Sequence, residues 1–266
     1  MKDQIIKILD NLLSKNITCS IGDIMLQGES LDEGQLTVLS RYYDLQQYQK
    51  GDESFLFQNV LSKILWNNNH NEQSGNFAFR NLIKSYEKYG YKHGSRIQLD
   101  SEASLMNGSH RVAMNLWFDF YEIEAKIVRR RIRFKRGIQW YLENGLPESF
   151  VDVLKIVKLE ITKKLFNVGA SFIIVTGKLS SEQQKTMIHF LEPRTKEFKL
   201  CPRFNEKDGL IVSYSLANPK YYIKGHHLQS ATARNLNKVL MNKLKIPIID
   251  YSLNCSKGMI LYESYK

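Results

Sequence analysis

The stretch 105-LMNGSHRVAMNLW-117 decides how this chain is to be read. An apolar pair, Leu105–Met106, runs into Asn107–Gly108, a dipeptide that turns the backbone sharply. From Ser109 onward Val112, Ala113, Leu116 and Trp117 fall at helical spacing. A strand therefore ends, and a helix begins, around Gly108. His110 and Arg111 stand in the first turn of that helix. There the unpaired N–H groups already carry about half a positive charge. A basic pair at that end is unfavourable alone and makes sense where an anion docks.

The flanks agree with this reading. Upstream, "FAFRNLIKSYEKYG" places Phe79, Leu82, Ile83 and Tyr86 on one helical face, with Gly90 as its stop. "SRIQLD" then alternates like a strand, with "EASLM" as its short return, and "YEIEAKIVRR" after the motif helix is another strand. Residues 77–130 thus read helix, strand, turn, strand, helix, strand.

Residues 79–128 resemble the ParB/sulfiredoxin-like domain. Its pattern is a glycine-terminated helix, a strand, a turn, then Leu-x-Asp/Asn-Gly-x-His-Arg-x-x-Ala and a closing strand. Here the motif stands as Leu105, Asn107, Gly108, His110, Arg111 and Ala113, with Ala113 one residue nearer the arginine than in that spacing. A related form with the alanine two positions after the arginine fits directly. The resemblance implies a nucleotide site, with Asn107, Gly108, Ser109, His110 and Arg111 around the phosphates; Arg80, from its place on the preceding helix, either reaches them or lies on a solvated helix face. It implies ATP or CTP as cofactor, with Mg²⁺. Some members of that superfamily clamp DNA with CTP, some phosphorylate a small hydroxyl substrate, and sulfiredoxins use a motif cysteine. Ser109 stands where that cysteine would be, which disfavours sulfiredoxin chemistry, and the Gly-Glu-Arg-Arg form of true partition proteins is absent. The Asn-Gly-Ser-His-Arg form is closer to diverged members associated with surface-polysaccharide biosynthesis.

Elementary chemistry supports a phosphate at this point. Gly108 permits a tight turn and a close approach. The N–H groups of Ser109, His110 and Arg111 can face an anion, Ser109 can cap the helix or touch the phosphate, and Arg111 can grip in bidentate fashion. The plainer alternative is that His110 donates to a backbone carbonyl and Arg111 pairs with Asp100 or Glu102. A phosphotransferase also needs a carboxylate to orient the acceptor. Asp100 and Glu102, in the turn before the motif, are the expected catalytic pair, with Asp119 and Glu72 as further candidates. Arg80 and Lys84 lie one turn apart on the preceding helix, and His93 stands at the strand entry.

The rest of the chain bounds the function class. The 266 residues are 43% apolar, enough for a large core, and 24% charged, which argues against extended disorder. No apolar run approaches the roughly 18 residues of a membrane span. The opening "MKDQIIKILDNLLSKN" reads as an amphipathic helix rather than a signal peptide, and Cys19, Cys201 and Cys255 show no metal or disulfide spacing. A cytoplasmic location and no protein-bound metal site are the expectations. The net charge of +11 favours anionic partners. Arg129, Arg130, Arg131, Arg133, Lys135 and Arg136 form a basic run with Ile132 and Phe134 interleaved. That run could track a nucleic-acid backbone, or it could guard a solvated sheet edge.

The expected organisation is α+β: a helical N-terminal part over 1–50, a nucleotide-binding core over 51–136, and a C-terminal α/β unit over 137–266 joined by a long helix. Ser30 is a candidate helix cap, "NNNHNEQSGN" at 67–76 reads as a surface loop, and "YYIKGHHLQS" as a polar loop with Lys224, His226, His227 and Gln229 before a helix. "GMILYES" reads as a closing strand. The leading function is a nucleotide-dependent phosphotransferase acting on a small hydroxyl substrate. The rival is a nucleic-acid-binding or nucleotide-switched regulator using 129–136.

Overall fold

The computed structural model describes residues 15–27, 31–66, 72–91, 96–100, 103–128, 136–203 and 206–266. The architecture is α+β. Two compact units divide the described chain: residues 31–161, and residues 16–27 with 162–266.

The described chain opens in the second unit. Strand β1 (Lys15–Ser20) is followed at once by the short helix α1 (Ile21–Met25), capped by the Ser20 hydroxyl on Gly22 N. Ile17, Cys19, Ile21, Ile24 and Met25 are buried, and that burial fixes the segment.

The first unit begins with α2 (Glu33–Gln49), α3 (Leu56–Trp66) and α4 (Glu72–Tyr89). Asp32, not Ser30, caps α2, its Oδ1 accepting from Gln35 N at 2.9 Å. Asp44, from within α2, fastens the start of α3: its two carboxylate oxygens accept from Phe57 N at 3.1 Å and Gln58 N at 2.7 Å. α4 starts at Glu72, so 72–76 is helix and not the surface loop expected for 67–76. Its buried stripe of Phe79, Ile83 and Tyr86 carries the helix, and Asn76 near its start meets Gln58 of α3. Residues 67–71 lie outside the described residues.

Next come β2 (Ile97–Leu99), β3 (Leu105–Asn107), α5 (Ser109–Trp117) and β4 (Glu122–Ile127). Strand β2 lies between β3, antiparallel, and β4, parallel, with Leu99 opposite both Leu105 and Ile127. The parallel pair needs a crossover, and α5 supplies it. Val112, Ala113 and Leu116 of α5 are buried with Ile97, Leu99, Ile123 and Ala125 of the sheet. Around α5, Tyr42 of α2 meets Trp117 edge-on at 5.5 Å, and Tyr86 of α4 donates to Asn115 Oδ1 at 2.8 Å. The motif helix is thus held on several sides before any ligand is considered. The unit continues through α6 (Ile138–Glu143) into α7 (Glu148–Asn167), within which the chain passes to the second unit.

The second unit is built on β5 (Phe172–Thr176), α8 (Ser181–Leu191), β6 (Glu197–Arg203), β7 (Glu206–Ser215), β8 (Tyr221–Lys224), β9 (His227–Ser230), α9 (Ala231–Asn242), β10 (Ile248–Tyr251) and α10 (Cys255–Tyr265). An antiparallel sheet runs β10-β5-β7-β6. Because side chains alternate along a strand, β5 sends Phe172 and Ile174 to one face and Ile173 and Val175 to the other. The first face packs on Met187 and Leu191 of α8 and Leu236 and Leu240 of α9. The second packs on Leu261 and Tyr262 of α10.

Two expectations are corrected here. "GMILYES" is part of helix α10, not a strand: Asn254 caps it through Lys257 N at 2.7 Å, and its buried positions Cys255, Gly258, Leu261 and Tyr262 follow helical spacing. "YYIKGHHLQS" is the hairpin β8–β9, turned at Gly225 with φ +61°, rather than a polar loop. Ser230 then caps α9.

Candidate functional site

Gly108 is the N-cap of α5, with φ +100° and ψ +19°. That left-handed conformation strains any L side chain. Space forbids one too: a Cβ on Gly108 would stand 2.5 Å from Ile97 Cγ2. Glycine is therefore required for the strand-to-helix turn itself. A glycine cap offers the first turn no side-chain acceptor, so Ser109 is the first helical residue and not the cap that sequence allowed. The positive end of α5 is left for something else to complete.

Among the described residues a neutral oxygen meets each of the two basic residues of that turn. Arg111 donates from Nη1 to the Arg96 carbonyl at 3.1 Å. It is not paired with Asp100. His110 lies 2.7 Å, Nε2 to Oε1, from Gln58 of α3, and its ring packs on Phe79 of α4 at 4.8 Å. Gln58 Nε2 meets Asn76 Oδ1 at 3.4 Å, which orients the Gln58 oxygen toward the imidazole and makes Nε2 the proton-bearing nitrogen. Arg111 therefore keeps further N–H donors in its planar fork, and among the described residues it takes no ion pair.

Two clefts open beside this turn, one on each side of His110. The first, about 240 Å³, has Asn107, Gly108, His110 and Arg111 at one wall and Ala78, Phe79 and Leu82 at the other. The second, about 230 Å³, is shared between Asn107, Ser109 and His110 and side chains of α2 and α3, among them Thr37, Arg41, Gln58 and Ser62. Asn107 and His110 border both. Gly34 lets α2 come close to β3: a Cβ there would stand 3.0 Å from the Leu105 carbonyl oxygen.

Sequence reasoning missed Arg41, Gln58 and Thr37. They come from helices far from the motif in the chain, and on a helical wheel Arg41 reads as an ordinary polar position. Its one local sign is Asp44 three residues on. Burial pulls the Arg41 guanidinium down to about 10, opposed by the nearby charge of Asp44, and leaves it cationic at neutral pH. Burial pushes the Asp44 carboxyl up to about 7 although it accepts two backbone N–H groups.

The remaining predicted residues divide plainly. Asp100 is fully buried in the β2–β3 turn, where Oδ1 accepts from Ser104 N at 2.9 Å, and it lines neither cleft. Glu102 lies outside the described residues, as do His93 and Arg129, Arg130, Arg131, Arg133 and Lys135; nothing of the Glu72 side chain is described. Asp119 is exposed past the far end of α5 and accepts from the Tyr121 hydroxyl at 2.6 Å. Arg80 is engaged by Glu53, through both its carbonyl and its carboxylate at 3.1 Å, and sits over the Phe55 ring, so it is not brought to Arg111. Lys84 is exposed. Arg136 lies over the Trp140 ring at 4.4 Å. Lys224, His226 and His227 are exposed in or beside the β8–β9 hairpin of the second unit, and Gln229 accepts from the Tyr222 hydroxyl at 2.7 Å.

The donor set suits phosphate oxygens: a helix start, an arginine fork, an imidazole and an amide. Among the described residues that line the two clefts there is no carboxylate to help hold Mg²⁺. Among the described residues no group of three or more His, Cys, Asp or Glu side chains converges. Among the described residues no helix is long and apolar enough to cross a membrane. Comparison with protein families, with curated proteins and with solved structures gives no match to this chain.

Proposed function

We propose that the first unit binds a nucleoside triphosphate in the cleft at the start of α5 and transfers its terminal phosphoryl group to the hydroxyl of a small molecule, releasing the nucleoside diphosphate and giving the hydroxyl proton to water. One observation carries the reading. The cationic end of α5, with Asn107, His110 and Arg111, faces a cleft whose opposite wall is Ala78, Phe79 and Leu82. A nucleotide has that same division, an anionic chain and a flat apolar base. Phosphates would lie against Gly108 to Arg111, and the base would rest on Ala78 and Leu82, with the buried Phe79 ring behind them. Arg111 and the helix end would stabilise charge on the phosphates, and His110, fixed by Gln58 and Phe79, would keep its geometry as they bind. Asp100 has no part in this version, because it is committed to its own turn. Binding by ATP or CTP rather than a nucleoside is the expectation.

Thermal unfolding with ATP, CTP, GTP and UTP, each with and without Mg²⁺, tests this. A ligand that binds only the folded state stabilises it by about 2.7 kcal/mol at one hundred times its Kd. One nucleotide should raise Tm in the native chain and fail to do so in Arg111→Ala. No shift with any of the four would overturn the proposal.

A further inference from the structure

The second cleft carries a cation, Arg41, that takes no ion pair among the described residues. Arg41 donates from Nη1 to Thr37 O at 2.6 Å, and its Nε is buried with no hydrogen-bond partner among the described residues. No acidic side chain is among the described residues lining this cleft. Asp44, the carboxyl whose charge acts on Arg41, is occupied by Phe57 N and Gln58 N and takes no ion pair with it. A partly buried guanidinium with no ion pair among the described residues readily accepts a carboxylate or phosphate as its partner. The first turn of α5, at Ser109, opens on the same space and adds to its positive potential. Around it stand groups suited to hydroxyls: Thr37, Gln58, Ser62 and Ser109. A volume of about 230 Å³ suits a small molecule.

We infer that this cleft binds a small anionic alcohol, its carboxylate or phosphate held by Arg41, and that it is the acceptor site facing the nucleotide across His110. The acceptor role rests on the nucleotide reading above; the anion site at Arg41 does not. The two clefts share Asn107 and His110, so ligands in both would meet at those residues.

The test uses the full chain and ligand-observed NMR titrations with inorganic phosphate, glycerol 3-phosphate and D-glycerate, and with glycerol as the neutral control. The proteins are the native chain, Arg41→Gln, Arg41→Lys and Arg111→Ala. At least one organic anion should bind the native chain and Arg111→Ala alike, bind Arg41→Gln at least about tenfold more weakly, and recover in part with Arg41→Lys. Glycerol should not bind. Preference for glycerate identifies a carboxylate acceptor, and preference for glycerol 3-phosphate a phosphate monoester. Equal binding to Arg41→Gln, loss in Arg111→Ala, or no binding of any anion at millimolar concentration would each overturn the site. Arg41-dependent anion binding in a chain that binds no nucleotide would overturn the acceptor assignment while leaving the anion site standing.

Discussion

Gly108 shows how one residue serves geometry and chemistry together. Its φ of +100° and the 2.5 Å approach to Ile97 mean that Gly108→Ala meets both left-handed strain and a steric clash. The expected cost is about 2–4 kcal/mol, read from urea unfolding. A cost below about 1 kcal/mol would show that the turn relaxes easily and is not the rigid corner described here. This residue was legible in the sequence, because Asn-Gly between an apolar pair and a helical pattern leaves little else for it to be. Asn107, Ser109, His110 and Arg111 were legible as neighbours of that turn. Their partners were not. Gln58 and Arg41 reach the site from α2 and α3, and no local pattern reports which distant side chain will meet a helix start. Asp100 was misplaced for a related reason. Sequence put it near the motif, but only the fold shows its carboxylate turned back on Ser104.

At the scale of elements, the helices and strands around the motif follow their periodicity closely. α5, β2 and β4 stand where the alternation and the 3.6-residue spacing put them. The elements that escaped are those whose tertiary context outweighs their local pattern. "GMILYES" has a strand-like apolar run, yet it is helical because Asn254 starts a helix and Gly258 packs tightly beneath it, a Cβ there standing 2.1 Å from the Ser171 carbonyl oxygen. Asn254→Ala removes the acceptor for Lys257 N and should cost about 0.5–2 kcal/mol. Amide hydrogen exchange should speed up first in the opening turn of α10. Unchanged exchange there would mean that packing alone sets this helix start.

At the scale of the whole molecule, burial raises a carboxyl to about 7 in each compact unit: Asp44 in the first and Asp23 in the second. Asp23 sits against Cys255, whose backbone N lies 3.4 Å from both its oxygens. The folded state keeps these protons where the unfolded chain, with an ordinary carboxylate pKa, releases them. Their contribution to stability is therefore fully present below about pH 4 and is lost as pH rises through about 7. Each carboxyl accounts for a loss on the order of 3–4 kcal/mol across that window, a large share of a typical domain's stability. Asp44→Asn and Asp23→Asn should each flatten the fall in stability between pH 4.5 and pH 8, measured by denaturant unfolding. A variant that tracks the native pH profile would show that its carboxyl is ionised in the folded protein.

The central claim is that the start of α5 is a phosphate site. Calorimetric titration of the nucleotide selected by thermal shift, beside its parent nucleoside, into the native chain and Arg111→Ala tests it most directly. The triphosphate should bind at least about tenfold more tightly than the nucleoside, raising salt should weaken it, and Arg111→Ala should remove the difference. Equal binding of nucleoside and triphosphate, or full retention of the preference in Arg111→Ala, would contradict it.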